Sequence, residues 1–586
     1  MLKRGKIGSY ISRLTGGSRI WSRFFFGTGA IPQGSSEALL KEEDLLESSL
    51  LGYLYKKFTK GASRVRSFCA LHAEKSRVVS ITASLCRALL DTSVGSFGVF
   101  LFFTGLYSAA AFFIKMYAGN EYDLFSLIYS AVIAFSGLLL LPLRRSIVTC
   151  ISDGILTSYV AREMLAVSRF ALEEKRPPKK RLAWAVLFGT LAGILGFFVS
   201  PLKILLFLLS VAAFAVIIYS PEGGLYISLF LLPFADIRLS ALVALTAGVS
   251  YLFKLLIGKR NFYFTSADVF ALLFALSAFI AGTLTPFATE NTGLTVVTVA
   301  VLYILCANLM RSSEQLYRLM SVINSGALIL ALCCIFAFLF GGNLGAFGDY
   351  LSQKSAHVLL LPLLLPAALS TAFSRGAFSS GAIACVAIYV AAALTFSEWM
   401  YLAVICTTAL YFMLLFRKRM GIIFGAVISC AAVLVLFSTG IIKSGTAANA
   451  PVYPSSAKTA FKYLFSGVGF GDKAFTFAFK SAGYGSAEQG DMYSALVIGG
   501  GILLLALFAA AVVMILRRGL ITVSGKTSGK LKHSAAAAVA TLCALLLCGI
   551  FGRIWNMWEN TLLFSAVCGC ICGLPRIYDR EAGDEI

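Results

Sequence analysis

Long apolar runs of about twenty residues, parted by short polar or basic intervals, fill the chain from residue 97 onward. A run of that length crosses a ~30 Å hydrocarbon core as an α-helix. Nowhere does the chain show the short alternating strands of a membrane barrel. The pattern predicts spans over 97–117, 124–141, 182–199, 203–219, 221–235, 239–257, 267–283, 291–309, 318–340, 355–373, 379–395, 399–416, 420–438, 493–516, 534–551 and 560–574. The fold class is therefore all-α, a polytopic transmembrane helical bundle of about sixteen spans. The count falls toward fourteen if the pairs joined by "SP" at 200–201 and 220–221 are re-entrant or tilted.

The polar intervals assign a side to each span. Basic residues gather between apolar runs, as "RR" at 144–145, "EEKRPPKKR" at 173–181, "GKR" at 258–260, "RKR" at 417–419 and "RR" at 517–518. From a cytoplasmic N-terminus, simple alternation puts each of these clusters inside, together with "RSSEQLYR" and the C-terminal tail, as the positive-inside rule requires. The expected location is the cytoplasmic (inner or plasma) membrane, with both termini cytoplasmic. The outward segments are 118–123, 284–290, 341–354, the junction at 396–398, 439–492 and 552–559, and only 439–492 is long.

Five regions follow. They are a cytoplasmic N-terminal region (1–96), partly amphipathic; two spans with a basic linker (97–181); a transmembrane core (182–438); the large outer loop (439–492); and C-terminal spans with a short tail (493–586). Consecutive prolines at 177–178 interrupt any helix through the linker.

Composition sharpens this picture in three ways. Only 13% of the residues are charged and 59% are hydrophobic, against about 25% charged in soluble domains. The net charge of +22 sits in the inner loops, and no nucleic-acid module accompanies it. None of the 14 cysteines lies in an outward segment, so no disulfide framework is expected. The polar, basic residues ahead of the first span leave no cleavable signal peptide to expect.

The outer loop is the richest candidate for chemistry. In "SSAKTAFKYLFSGVGFG", Ser455 or Ser456 caps a short helix whose Ala457, Ala460, Phe461 and Leu464 make an apolar stripe, with Lys458 and Lys462 on another face. Gly467, Gly469 and Gly471 then alternate, permitting a tight turn whose freed N–H groups form an anion nest. Lys473 and Lys480 add charge, and "FTFAF" adds aromatic surface. A lipid pyrophosphate at a membrane surface suits this mixture; a plain connector between two spans, with glycines and aromatics at its boundaries, fits the residues equally well. The cluster is neither a Rossmann nor a P-loop fingerprint, since it follows no strand and lacks GK[ST].

Other outward polar residues are Asp236, Arg238, Glu290, Asp349, Lys354, Glu398, Glu488, Asp491, Arg553 and Glu559. Glu398 stands at a span boundary, as a pocket residue or as the polar start of the next helix. His357 is the one histidine placed near the outer face, so neither a metal cluster nor a serine–histidine–acid triad is expected.

The ordered set of stretches resembles the O-antigen ligase and polysaccharide polymerase superfamily of integral membrane proteins, which includes Gram-positive exopolysaccharide polymerases. "IIYSPEGGLYISLFLLPFADIRL", "LSQKSAHVLLLPLLLPAAL", "LTFSEWMYLAVICTTALYFMLLFRKR" and the pair "FSGVGFG" with "QGDMYSALVIGGGILLLALFAAAVV" carry the likeness over residues 182–575. The resemblance implies transfer or polymerisation of glycan from an undecaprenyl-pyrophosphate donor to a glycan or lipid acceptor at the outer face. It implies neither metal nor cofactor, and its partners are membrane lipids and other polysaccharide-assembly proteins.

Carried over by position, Ser397 matches the family's serine, while Glu398 stands where that family has arginine. Asp491 stands at its histidine, Met492 at its asparagine, and its tyrosine falls near Tyr493 or Ser494. Gly467, Val468 and Gly469 match its glycine turn. Asp491 and Glu398 are thus the catalytic candidates. Lys458, Lys473, Gly467, Gly469, Gly471, Arg238 and Lys354 are the pyrophosphate-binding candidates, with Arg553 a further source of positive charge.

Glutamate for arginine reverses a charge beside the pyrophosphate. Aspartate for histidine keeps a proton acceptor, with a reference pKa of ~4 instead of ~6.5. A transporter or flippase for a lipid-linked saccharide, and an inactive assembly partner, remain as alternatives.

Overall fold

The computed structural model describes residues 67, 88, 91–118, 124–154, 181–196, 198–199, 201–286, 290–340, 360–375, 379–394, 398–415, 453–484, 491–524, 528–551 and 558–584. These residues are helical almost throughout. They fall into two compact units, one within Ser63–Asn261 and one within Phe262–Ile586.

The first unit contains α1 (Val94–Tyr117), α2 (Leu124–Leu140), α3 (Ile147–Asp153), α4 (Leu182–Leu195), α5 (Pro201–Tyr219), α6 (Pro221–Leu231) and α7 (Ile237–Leu256). Helices α1 and α2 form a hairpin, and α4 packs on α1. The contacts run through small residues: a Cβ at Gly105 would lie 2.4 Å from the backbone nitrogen of Ala134. Such residues let backbones approach closely where lipid gives no hydrophobic drive to pair. Outward faces stay apolar, with Phe125, Phe135, Trp184, Leu242 and Val249 exposed. Among the described residues of this unit the buried charge is Glu222, which accepts hydrogen bonds from Arg260 and from Ser220 Oγ.

The second unit contains α8 (Ser266–Thr283), α9 (Glu290–Leu309), α10 (Ser313–Phe340), α11 (Leu360–Arg375), α12 (Ser380–Leu394) and α13 (Glu398–Leu415). Two short helices follow, α14 (Tyr453–Lys462) and α15 (Asp472–Ser481), and then α16 (Met492–Ser524), α17 (Gly529–Phe551) and α18 (Trp558–Asp584). Helix α9 packs on α18, α8 on α16, α10 on α12, and α11 on both α12 and α17. Among the described residues, eight helices are long and apolar enough to cross a membrane by length and composition. Together with the apolar exposed faces, they make this a multi-pass membrane protein.

Helices occupy all the predicted span positions except 420–438, which lies outside the described residues. The boundaries differ where polar residues extend a helix beyond its apolar run. Helix α10 begins at Ser313 instead of 318, and α18 continues through "RIYDREAGD" to Asp584.

The second unit is polarised from end to end. Arg311, Arg318, Arg517, Arg518, Lys530, Lys532, Arg576 and Arg580 all lie at or near helix ends at one pole. The opposite pole carries α14, α15 and the first residues of α16. Helix α13 packs on α17, with Tyr411 OH 3.0 Å from His533 Nδ1 near the arginine-rich pole. The first residue of α13, Glu398, therefore stands at the same pole as α14 and α15.

Candidate functional site

The site at the pole opposite the arginines is built around a break in α16. The run "VIGGGI" loses helical geometry at Gly501, whose φ of 73° and ψ of −175° are open to glycine and strained for other residues. A helix broken there leaves backbone groups without their i→i−4 partners, and buried backbone groups must be paired. The glycine turn supplies the partners. Val468 N–H donates to the Ile498 carbonyl at 2.7 Å, Gly469 N–H to the Gly499 carbonyl at 2.9 Å, and Ile502 N–H to the Leu464 carbonyl at 2.6 Å.

Close approach explains the glycine at 467. Its φ is +61°, and a Cβ there would meet the Gly499 carbonyl oxygen at 2.6 Å and Gly500 Cα at 2.9 Å. The turn and the break are two halves of one joint.

The segment predicted as a long outer loop contains two amphipathic helices that close over this joint. Phe475 and Phe479, one helical turn apart on α15, are buried with Ala474 and Ala478 against Val468, Ala495 and Ile498. Phe477 faces outward. Lys462 Nζ and Tyr463 OH both bond Ser481, tying α14 to the end of α15.

Helix α14 begins at Tyr453, so Ser455 and Ser456 lie inside it instead of capping it. It buries Ser455, Ser456, Thr459 and Ala460, whereas Phe461 is 78% exposed. The apolar stripe is therefore split, with Ala460 and Leu464 packed on the cap's core while Ala457 and Phe461 face outward. Near a lipid boundary an apolar side chain gains as much facing outward as facing a neighbouring helix.

Asp491 terminates the cap. Its Oδ1 accepts from Ser494 N–H at 2.8 Å and its Oδ2 from Ser494 Oγ at 2.6 Å, making it the N-cap of α16. A carboxylate offers about four lone-pair sites, so each oxygen retains capacity for a further donor. Lys458 and Lys473 are exposed on α14 and α15, without a side-chain partner among the described residues.

The nine predicted site residues divide accordingly. The structure brings together Asp491, Lys458, Lys473, Gly467, Gly469 and Gly471 in the cap. Glu398 starts α13 at the same pole. Arg238 belongs to the first unit, where it is exposed in the first turn of α7. Lys354 lies outside the described residues, as do His357 and Arg553.

The N–H groups of the glycine turn expected to form an anion nest are partly engaged, with Gly467 donating to Tyr463 and Val468 and Gly469 to the break. Among the described residues the N–H groups of Phe470 and Gly471 have no backbone acceptor, and they and the start of α15 are what the turn still offers an anion. Gly501 and Ser494 were not among the predicted site residues, although the triple glycine at 499–501 signalled a break. A small apolar cavity of about 50 Å³ lies between α8, α9, α16 and α18, lined by Phe274, Tyr303, Phe508 and Phe564. It is neither large nor polar enough for a saccharide. Among the described residues no group of histidine, cysteine, aspartate or glutamate could hold a metal ion.

Comparison of the chain with family models, curated proteins and solved structures gave no match.

Proposed function

We propose that the chain is a membrane glycosyltransferase of cell-surface polysaccharide assembly, acting on a lipid-pyrophosphate-linked glycan at the pole away from its arginines. The observation that supports this reading is the cap itself. It gathers two lysines without a side-chain partner among the described residues, outward aromatics and a carboxylate at the pole of the second unit away from its arginines. That is the mixture a membrane-anchored, doubly charged sugar donor requires.

In the proposed reaction an acceptor hydroxyl attacks the anomeric carbon of the donor. The bond from that carbon to the pyrophosphate oxygen breaks, and the pyrophosphate departs on its lipid. The hydroxyl proton passes to Asp491, whose carboxylate has lone-pair capacity beyond its two bonds from Ser494. Lys458 and Lys473 offset the charge of the leaving group. With Glu398 in place of the expected arginine, these lysines carry the burden of binding the anion.

Such exposed lysines act mainly on donor affinity. In the double variant Lys458→Ala/Lys473→Ala, KM for the lipid-linked donor is expected to rise about three- to tenfold with kcat little changed. Steady-state assays at constant ionic strength check this, and an unaltered KM removes the lysines from the site.

The break at Gly501 supports a second reading, a transporter of lipid-linked saccharide, because discontinuous helices line the substrate sites of many transporters. Here the broken backbone is occupied by the protein's own glycine turn, so the glycosyltransferase reading is preferred. An inactive assembly partner is the third reading, motivated by Glu398 and Asp491. Glycan extension by the purified protein separates both alternatives from the first.

A further inference from the structure

The arginine-rich pole of the second unit holds a charge arrangement that the proposed reaction does not use. Arg518 is 4% exposed, and its guanidinium makes one hydrogen bond among the described residues, from Nη2 to Ser266 Oγ at 3.3 Å. Its Nε is buried without an acceptor. Arg576 donates from Nη2 to the Ala307 carbonyl at 2.6 Å and lies over the Tyr263 ring at 4.7 Å, and its Nε is likewise buried without an acceptor.

Among the described residues one carboxylate shares this neighbourhood, and it is already satisfied. Buried Asp268 accepts from Thr265 N–H at 2.6 Å, Thr265 Oγ1 at 2.7 Å and Tyr303 OH at 2.5 Å. It makes no ion pair with either arginine within 4.0 Å among the described residues. The three groups nevertheless lie within electrostatic reach of one another. Glu314, the acid at the start of α10, is shared between Arg318 and Lys530. Arg580, nearby, adds further positive charge toward Tyr263 OH at 3.5 Å.

Two guanidinium groups against one carboxylate leave an unbalanced cation in a low-dielectric setting, and an uncompensated buried charge is strongly destabilising. The planar guanidinium fork matches phosphate oxygens with paired donors. Arg518 lies six residues before the end of α16, a depth of about 9 Å at 1.5 Å per residue. We propose that Arg518 and Arg576 form a binding site for a phosphate-class anion, carried by a phospholipid headgroup or by a small soluble phosphate.

The test uses the purified full-length protein, with thermal unfolding as the readout. One arm titrates inorganic phosphate against sodium chloride at matched ionic strength. The other compares nanodiscs of phosphatidylcholine alone with nanodiscs containing phosphatidylglycerol. At least one arm is expected to raise the unfolding midpoint; phosphate identifies a soluble ligand, and phosphatidylglycerol alone identifies a headgroup.

Arg518→Gln and Arg576→Gln are each expected to weaken the response about tenfold or more, the loss of one charge-assisted contact. Asp268→Asn is expected to strengthen it by removing a repelling carboxylate, a gain that a purely structural role for the arginines does not produce. The proposal is overturned if neither arm exceeds its control in the wild type, a result that needs no variant to fold. It is also overturned if the response survives intact in both arginine variants.

Discussion

Replacing Gly467 with valine is expected to unseat the glycine turn from the break in α16. A β-branched residue at a φ of +61° costs about 1–2 kcal/mol in backbone strain. The new Cβ would press on the Gly499 carbonyl oxygen from 2.6 Å, and backbone, unlike a flexible side chain, cannot swing aside. Overpacking of this kind adds about 1–3 kcal/mol. The three hydrogen bonds that join turn to break are then lost together, so the joint opens instead of adjusting.

The readout is a cysteine placed at Val468, which is buried in the native cap. Its labelling by a maleimide is expected to accelerate more than tenfold in the Gly467→Val background. Gly483→Ala supplies the control, since Gly483 also has positive φ but nothing within 4 Å of a new Cβ. It should cost only about 1 kcal/mol of strain and leave labelling unchanged. Equal protection of residue 468 in both backgrounds would show that the turn is not seated as described.

The second large effect is chemical. Asparagine is as good an N-cap as aspartate, so Asp491→Asn should preserve the start of α16 and the fold around it. As a proton acceptor asparagine has nothing to offer. Glycan extension is therefore expected to fall about 10²–10⁴-fold, the usual range for loss of a general base. Asp491→Ala separates the roles from the other side, because it should cost about 1 kcal/mol of stability through loss of the cap as well. If Asp491→Asn extends glycan at the native rate, the carboxylate is a cap and nothing more.

The positions of most helices were legible because their apolar runs are bounded by residues that cannot enter lipid, such as the arginines at 144–145 and 517–518. The cap was less legible, for reasons specific to its residues. The period of Ala457, Ala460, Phe461 and Leu464 predicts a helix correctly, but at a membrane boundary it does not say which face packs on protein. The glycines of 467–471 could be read as freeing N–H groups for an anion. Their engagement became visible only when the break at Gly501, thirty residues further on, came within hydrogen-bonding distance.

Asp491 shows the same limit in a single residue. Its spacing to Ser494 is that of an N-cap, yet its place in a family-like motif suggested catalysis, and one carboxylate can serve both. The arginine pair at the other pole was hidden for a different reason. Arg518 looks like any inner-boundary basic residue in "RR", and only its burial without a facing carboxylate distinguishes it from Arg517.

The central claim is that the cap catalyses glycosyl transfer from a lipid pyrophosphate. The most direct measurement incubates the purified protein, in proteoliposomes without nucleotide sugar, with a lipid-pyrophosphate-linked oligosaccharide, and resolves the glycans by length. The account predicts longer or transferred glycans with release of the lipid pyrophosphate, and their loss in Asp491→Asn. Donor recovered at its original length from wild-type protein that is folded and binds it would contradict the account.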